Sequence, residues 1–199
     1  AMGAEIKSRE GHLPIVLRNQ PLMGIDHCLE VPSAQVKSAL LLAGLGAVGQ
    51  TTVRDPFGTR NHTERLFQFL GIDLEVEGDQ VCLRGPQQKG LQGFELKIPG
   101  DLSSAAYFIA AAVLLPGSDL ILRDLVLNPT RTGFLRVLER MGARVEILSQ
   151  GFSGNEEIGD LRVRFSPLSA IKLEPLEQVS AIDEIPMLAV LATQAEGVT

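Results

Sequence analysis

Long apolar runs and short alternating ones follow one another along this chain in a repeating order. Residues 36–45, 104–115 and 184–193 are rich in Ala, Leu, Ile and Val, and each has the length of a helix of about three turns. Their apolar positions run nearly all round the helical wheel, which predicts helices buried on most sides. Residues 74–77 with 81–84, and 145–148 with 161–165, alternate apolar and polar side chains and predict paired strands. Turn residues introduce each long run: Pro32-Ser33, Gly100-Asp101-Leu102-Ser103, and Asp183. A glycine follows each run at the same distance, since Gln35 to Gly49, Ser103 to Gly117 and Asp183 to Gly197 are each 14 positions. All three glycines suit a left-handed position where a helix ends.

A second, shorter helical segment follows in two of the copies. Arg60 to Gly71 and Arg131 to Gly142 both span 11 positions. The chain opens on Met2-Gly-Ala-Glu-Ile6, which matches Met141-Gly-Ala-Arg-Val145, so its head reads as the tail of an earlier copy. The unit is therefore strand, helix, strand, helix and two strands (βαβαββ), an α/β repeat. The chain holds about two complete units with parts of two more. Residues 1–95 carry the tail of one unit and a complete one, 96–168 the next complete unit, and 169–199 the head of a further unit. No Gly/Ser-rich linker divides them. The loosest stretch, 150–160, is predicted as a hairpin loop.

Composition narrows the function. With 45% apolar residues in 199, the chain has the material for a core. A net charge of −6 argues against wrapping nucleic acid, which needs a surplus of Lys and Arg, but not against one small phosphorylated ligand. The longest apolar run, 105–115, is too short for a membrane span of about 20 residues. Cys28 and Cys82 form no CxxC pair, and His12, His27 and His62 share no ligand spacing, so neither a metal site nor a disulfide framework is expected. With no secretory signal pattern at its head, a cytoplasmic location is expected.

The three matched helix starts are where chemistry is expected. A helix start exposes unpaired N–H groups and a partial positive charge, a ready place for phosphate. Ser33, Ala34 and Gln35 open the first helix, Arg60 precedes the second and can clamp phosphate through two parallel bonds, and Asp183 could take a proton from a hydroxyl. Each has a plainer reading. Ser33 serves equally well as an N-cap, Gln35 and Arg60 as solvated residues, and Asp183 with Glu184 as acids complementing a helix dipole. Asp101 with Ser103 reads as capping, and Arg131 shares Arg60's repeat position without implying a ligand.

Several segments together resemble the 5-enolpyruvylshikimate-3-phosphate synthase family: 32–45 (PSAQVKSALLLAGL), 59–64 (TRNHTE), 98–106 (IPGDLSSAA), 127–133 (LNPTRTG), 141–143 (MGA), 182–186 (IDEIP) and 195–197 (AEG). The resemblance runs the whole chain in order. It implies six βαβαββ units in two inside-out, barrel-like lobes, with 169–199 starting the return into the second lobe. It also implies transfer of the enolpyruvyl group of phosphoenolpyruvate to the 5-hydroxyl of shikimate 3-phosphate, without metal or organic cofactor, by a parent enzyme expected to be a monomer. Ser33, Ala34 and Gln35 correspond to a segment that binds shikimate 3-phosphate, with Gln35 also reaching phosphoenolpyruvate. Arg60 corresponds to a basic residue of that pocket, and Asp183 to the proton acceptor.

The family's Lys-Ser segment with its Arg, its Arg-Pro-Met segment, and its Lys-Glu-Ser/Thr-Asp-Arg and Asp-His-Arg segments do not occur in the chain. They supply most of the phosphoenolpyruvate clamp, so the chain is expected to be an internal fragment, inactive alone. Two alternatives stand beside this reading. One is the related UDP-N-acetylglucosamine enolpyruvyl transferase, whose reactive-Cys loop has no match here. The other is a non-catalytic phosphoshikimate-binding module.

Overall fold

The computed structural model describes residues 2–87 and 92–198. The chain divides into two compact units, 1–94 and 95–199. In the first, β1 (Glu5–Arg9) and β2 (His12–Arg18) form an antiparallel hairpin. β3 (Asp26–Cys28), α1 (Ala34–Gly44), β4 (Gly49–Arg54), α2 (His62–Phe69), β5 (Leu74–Glu77) and β6 (Gln80–Gly85) follow. Their sheet has the order β3-β4-β6-β5, with β3 parallel to β4 and the other pairs antiparallel. The core gathers Leu29, Leu41, Val53, Phe67, Ile72, Val81 and Leu83 between helices and sheet. Gly85 on β6 is required by a close approach: a Cβ there would lie 2.3 Å from the Gly44 carbonyl oxygen at the end of α1.

The second unit repeats the plan. α3 (Leu102–Leu114), β7 (Asp119–Val126), α4 (Gly133–Arg140), β8 (Arg144–Ser153) and β9 (Glu156–Arg164) make an antiparallel sheet of order β7-β9-β8 with two helices. α5 (Pro175–Ser180), a 3₁₀ turn (Ile182–Glu184) and α6 (Ile185–Ala192) complete it. Ile109, Val113, Phe134, Leu138, Leu161 and Val163 form its core together with Leu188 and Leu191 of α6.

The repeat is visible in bond geometry. Met23 N donates to Met2 O at 3.0 Å, and Ser169 N donates to Met141 O at 2.9 Å. Val48 N donates to Leu22 O, and Glu196 N to Leu168 O, both at 2.8 Å. Gly3 and Gly142 share φ values of +89° and +88°. Mixed α/β units with this βαβαββ order are what the sequence pattern predicts.

Four local expectations are corrected. The first strand of the second copy shrinks to a single bridge, Gly100 to Leu125, where Pro99 has no N–H to extend the ladder, and in the third copy the stretch from Val179 to Asp183, where strand and turn are expected, is helical instead, in α5 and the 3₁₀ turn, with a lone bridge from Ser169 to Glu196 further out. The 150–160 stretch is strand rather than loop, because its turn is confined to Gly154 and Asn155, with φ of +55° and +64°. This pair of left-handed residues suits a two-residue hairpin turn, so the glycine and polar content marked a tight turn inside strands. Gly49, Gly117 and Gly197 have positive φ, of +96°, +82° and +114°, but stand past the helix ends: Gly49 opens β4, Gly117 precedes β7 and Gly197 follows the bridge at Glu196. The long helices bury one face rather than most of their surface, leaving Val36, Leu42, Tyr107, Phe108 and Val190 exposed. α1 packs on the first unit's sheet, α3 on the second unit's sheet and on α6, and α6 on α3, leaving those side chains on the outward faces.

Candidate functional site

In the first unit, the start of α1 and the loop leading into α2 are tied together by a buried ion cluster. Ser33 is the N-cap of α1, and its Oγ accepts from Val36 N at 3.3 Å. Ala34 and Gln35 form the first turn, where α1's unpaired N–H groups lie. Two residues on, Lys37 turns inward. Its Nζ donates to Asp55 Oδ2 at 2.9 Å, to Glu64 Oε1 at 2.8 Å and to the Thr59 carbonyl oxygen at 3.1 Å. All three ionic side chains are buried, at 3%, 5% and 6% exposure for Lys37, Asp55 and Glu64. Asp55 Oδ2 also accepts from Thr59 N and Thr59 Oγ1, at 2.9 and 2.6 Å. Ser38 and Thr63 add a hydroxyl–hydroxyl bond of 2.6 Å between α1 and α2.

Arg60 follows Thr59, so this cluster holds the residue beside Arg60 against the first turns of α1. Arg60 itself is half-buried and has polar partners. Burial alone would raise the pKa of Asp55, but the bonds from Thr59 and Lys37 and the lysine charge outweigh it and hold the carboxyl below its ordinary range. In the sequence, Lys37 stands out only as one residue of an Ala/Leu helix. The usable signal was a lone cation on the buried side of that helix, which requires paired acids, and Asp55 and Glu64 flank the next loop.

In the second unit, Asp183 lies in the 3₁₀ turn ahead of α6, with its side chain 47% exposed. Asp101 caps α3 as expected, accepting from Ser103 N and Ser104 N at 3.4 and 2.9 Å. Burial again pushes its pKa up, and the bonds from Ser104, the Arg131 charge and the Ser103 N–H bring it below the ordinary value. Arg131, which implied no ligand in the sequence, reaches Asp101 Oδ1 and Ser103 Oγ, both at 2.7 Å, and lies 3.6 Å from Asp183 Oδ2. Ser103 Oγ in turn donates to Glu184 Oε1. The first unit thus brings Ser33, Ala34 and Gln35 together and ties Arg60's loop to them; Asp183 belongs to a separate carboxylate–arginine cluster. Among the described residues, no group of three or more His, Cys, Asp or Glu side chains could hold a metal ion, and no helix is long and apolar enough to cross a membrane.

A family model described as EPSP synthase (3-phosphoshikimate 1-carboxyvinyltransferase) matches residues 1–199. This chain belongs to the EPSP synthase family. A 3-phosphoshikimate 1-carboxyvinyltransferase of Acidithiobacillus ferrooxidans is 48% identical over 199 residues, covering 100% of this chain and 46% of that protein. A Bacillus subtilis protein of the same name is 45% identical over 200 residues. The chain therefore spans about half the length of the curated relatives it matches. An EPSP synthase structure from Acinetobacter baumannii superposes with a TM-score of 0.87 at 40% identity, over 98% of this chain and 44% of that one. The enolpyruvyl transferase NikO from Streptomyces tendae shares the fold, with a TM-score of 0.75 at 21% identity. The βαβαββ units found here are thus units of the EPSP synthase fold.

Proposed function

We propose that this chain carries part of the machinery that moves the enolpyruvyl group of phosphoenolpyruvate to the 5-hydroxyl of shikimate 3-phosphate. In this reading Ser33, Ala34, Gln35 and Arg60 bind shikimate 3-phosphate. The α1 N-terminus and a guanidinium offer oriented donors to an anion. Gln35 also reaches phosphoenolpyruvate. Asp183 accepts the proton of the 5-hydroxyl as that oxygen attacks C2 of phosphoenolpyruvate, while C3 takes a proton from an acid outside this chain. Loss of phosphate from C2 and of a proton from C3 then yields the enolpyruvyl ether.

The observation that carries the reading is the Lys37–Asp55–Glu64 cluster. It ties Arg60's loop to the helix start of Ser33 and Gln35, so the ligand donors are preorganised before any anion arrives. Lacking the family's other cationic segments, the chain by itself is expected to bind and not to turn over. Calorimetry of the purified chain with shikimate 3-phosphate tests this: weak binding is expected, on the order of millimolar, and it should be lost in Arg60→Ala. A folded chain that ignores the ligand would overturn the assignment of Ser33, Gln35 and Arg60. Enolpyruvyl transfer by the chain alone would overturn the partial role.

A further inference from the structure

Arg131 occupies the same place in its repeat as Arg60, 11 positions before a left-handed glycine. Asp101 and Ser103 match Ser33 and Gln35 in the same way, and Asp183 matches Gln35 in the next copy, 14 positions before Gly197. In the second unit that arginine is taken up by protein carboxylates. Its side chain is only 10% exposed, one nitrogen binding Asp101 and Ser103 and the other facing Asp183. We infer that Arg131 is a positioning residue for Asp183, holding one of its carboxylate oxygens so that the carboxylate keeps a fixed aim. This rests on the role proposed above for Asp183.

The arginine is itself held by a rigid frame. Asn128, fully buried, accepts from Thr130 N at 2.9 Å and Thr130 Oγ1 at 2.8 Å, and Arg131 N donates to Asn128 O at 2.7 Å. Two residues on, Gly133 lies so close to Ser180 that a Cβ would meet the Ser180 carbonyl oxygen at 2.5 Å. The Asn128–Gly133 turn is thus pressed against the chain three residues before Asp183, and backbone contact fixes the distance that the ion pair spans. Asp101 supplies the second anion that keeps the guanidinium in place. Its own position is set by capping α3, so the frame runs from the α3 N-terminus through Arg131 to Asp183. At 3.6 Å, the Arg131–Asp183 contact is an electrostatic hold rather than a short hydrogen bond. It orients the carboxylate without withdrawing it from the half-exposed face where it lies. Arg131 thus bridges Asp101 and Asp183, with Glu184 joined to the cluster through Ser103.

The test uses a full-length enzyme carrying this chain, assayed by phosphate release with each substrate varied. Because misplacing a reacting group by about an ångström can cost about 100-fold, Arg131→Met should lower kcat about 30- to 100-fold while KM for either substrate moves less than about threefold. Arg131→Lys should fall between, since one ammonium cannot serve Asp101 and Asp183 as a planar fork does. In an Asp183→Asn background, Arg131→Met should cost no more than about twofold further, because the group it positions is gone. An equal loss in both backgrounds, or an unchanged kcat, overturns the inference. Should Arg131→Met fail to fold, Arg131→Lys decides: kcat lowered at constant KM supports the role, and an unaltered kcat overturns it. A folded wild-type enzyme with no enolpyruvyl transfer overturns the functional reading itself, and Arg131's role with it. Transfer by the wild type with additive variants overturns only Arg131's role.

Discussion

Replacing Lys37 with methionine should damage the first unit far more than losing a surface cation would. The side chain is similar in length and apolar, so no large cavity opens, and the loss is electrostatic. Three bonds disappear, to Asp55, Glu64 and the Thr59 carbonyl. Asp55 keeps its bonds from Thr59 and from Phe57 N. Glu64 is worse placed. It is buried, and its Oε2 has no hydrogen-bond partner, so without Lys37 its charge loses the cation on Oε1 as well. Removing one partner of a buried ion pair costs about 3–5 kcal/mol, because the other charge stays buried. Arg54 with Asp26 is the control. That pair is just as short, at 2.7 Å, but half-exposed on both sides, and exposed pairs contribute about 0–1 kcal/mol. With a urea m-value of about 2 kcal/mol/M, Lys37→Met should lower the first unit's midpoint by about 1.5–2.5 M, and Arg54→Met by less than about 0.5 M. Glu64→Gln in the Lys37→Met background should recover part of the loss, since it removes the stranded charge. Equal midpoint shifts for the Lys37 and Arg54 variants would refute the argument that burial makes this cluster matter.

Further outcomes follow from the same geometry. Asp55 and Asp101 both have lowered carboxyl pKa values, so each contributes stability above the unfolded carboxylate pKa of about 3.9 that is lost as pH falls through the folded value. Thermal melts should therefore be level from neutral pH to about pH 5 and fall below about pH 4. In Asp55→Asn the fall should be shallower, from a lower starting point, and a melting temperature independent of pH down to pH 2.5 would contradict the pairing. Gly133→Ala should destabilise the second unit by about 1–3 kcal/mol, because its Cβ would meet the Ser180 backbone. Gly46→Ala, where nothing lies within 4 Å and φ is not positive, should be neutral or stabilising by up to about 1 kcal/mol, as chemical denaturation of the two variants would show.

The repeat was legible because it is written in positions that admit few residues. Gly71 and Gly142 follow the last residues of α2 and α4 in the left-handed conformation, and Gly3 and Gly142 share one turn geometry, so spacing alone carries the register. The sheet edges were less legible. Gln150 to Asp160 contains glycine, serine and asparagine, yet all but Gly154 and Asn155 are paired strand, because cross-strand bonding overrides weak local preference. The ion clusters were hidden for a different reason. Lys37 meets Asp55 and Glu64 across 18 and 27 positions, and Arg131 meets Asp101 and Asp183 across 30 and 52, and no local pattern encodes such pairings. What the sequence does carry is their repeat address. Arg60 and Arg131 stand at one address, and the residue two past each helix's cap position is Gln35 in one copy and Ser103 in the next. Where the cap is Ser33, the cap side chain itself carries no charge. Where it is Asp101, the fold fills that place with its own carboxylate and the arginine turns to structural use. The two copies thus differ in charge at the cap, and exchanging Asp101 for serine should loosen Arg131 before it unfolds α3, since a serine still caps the helix.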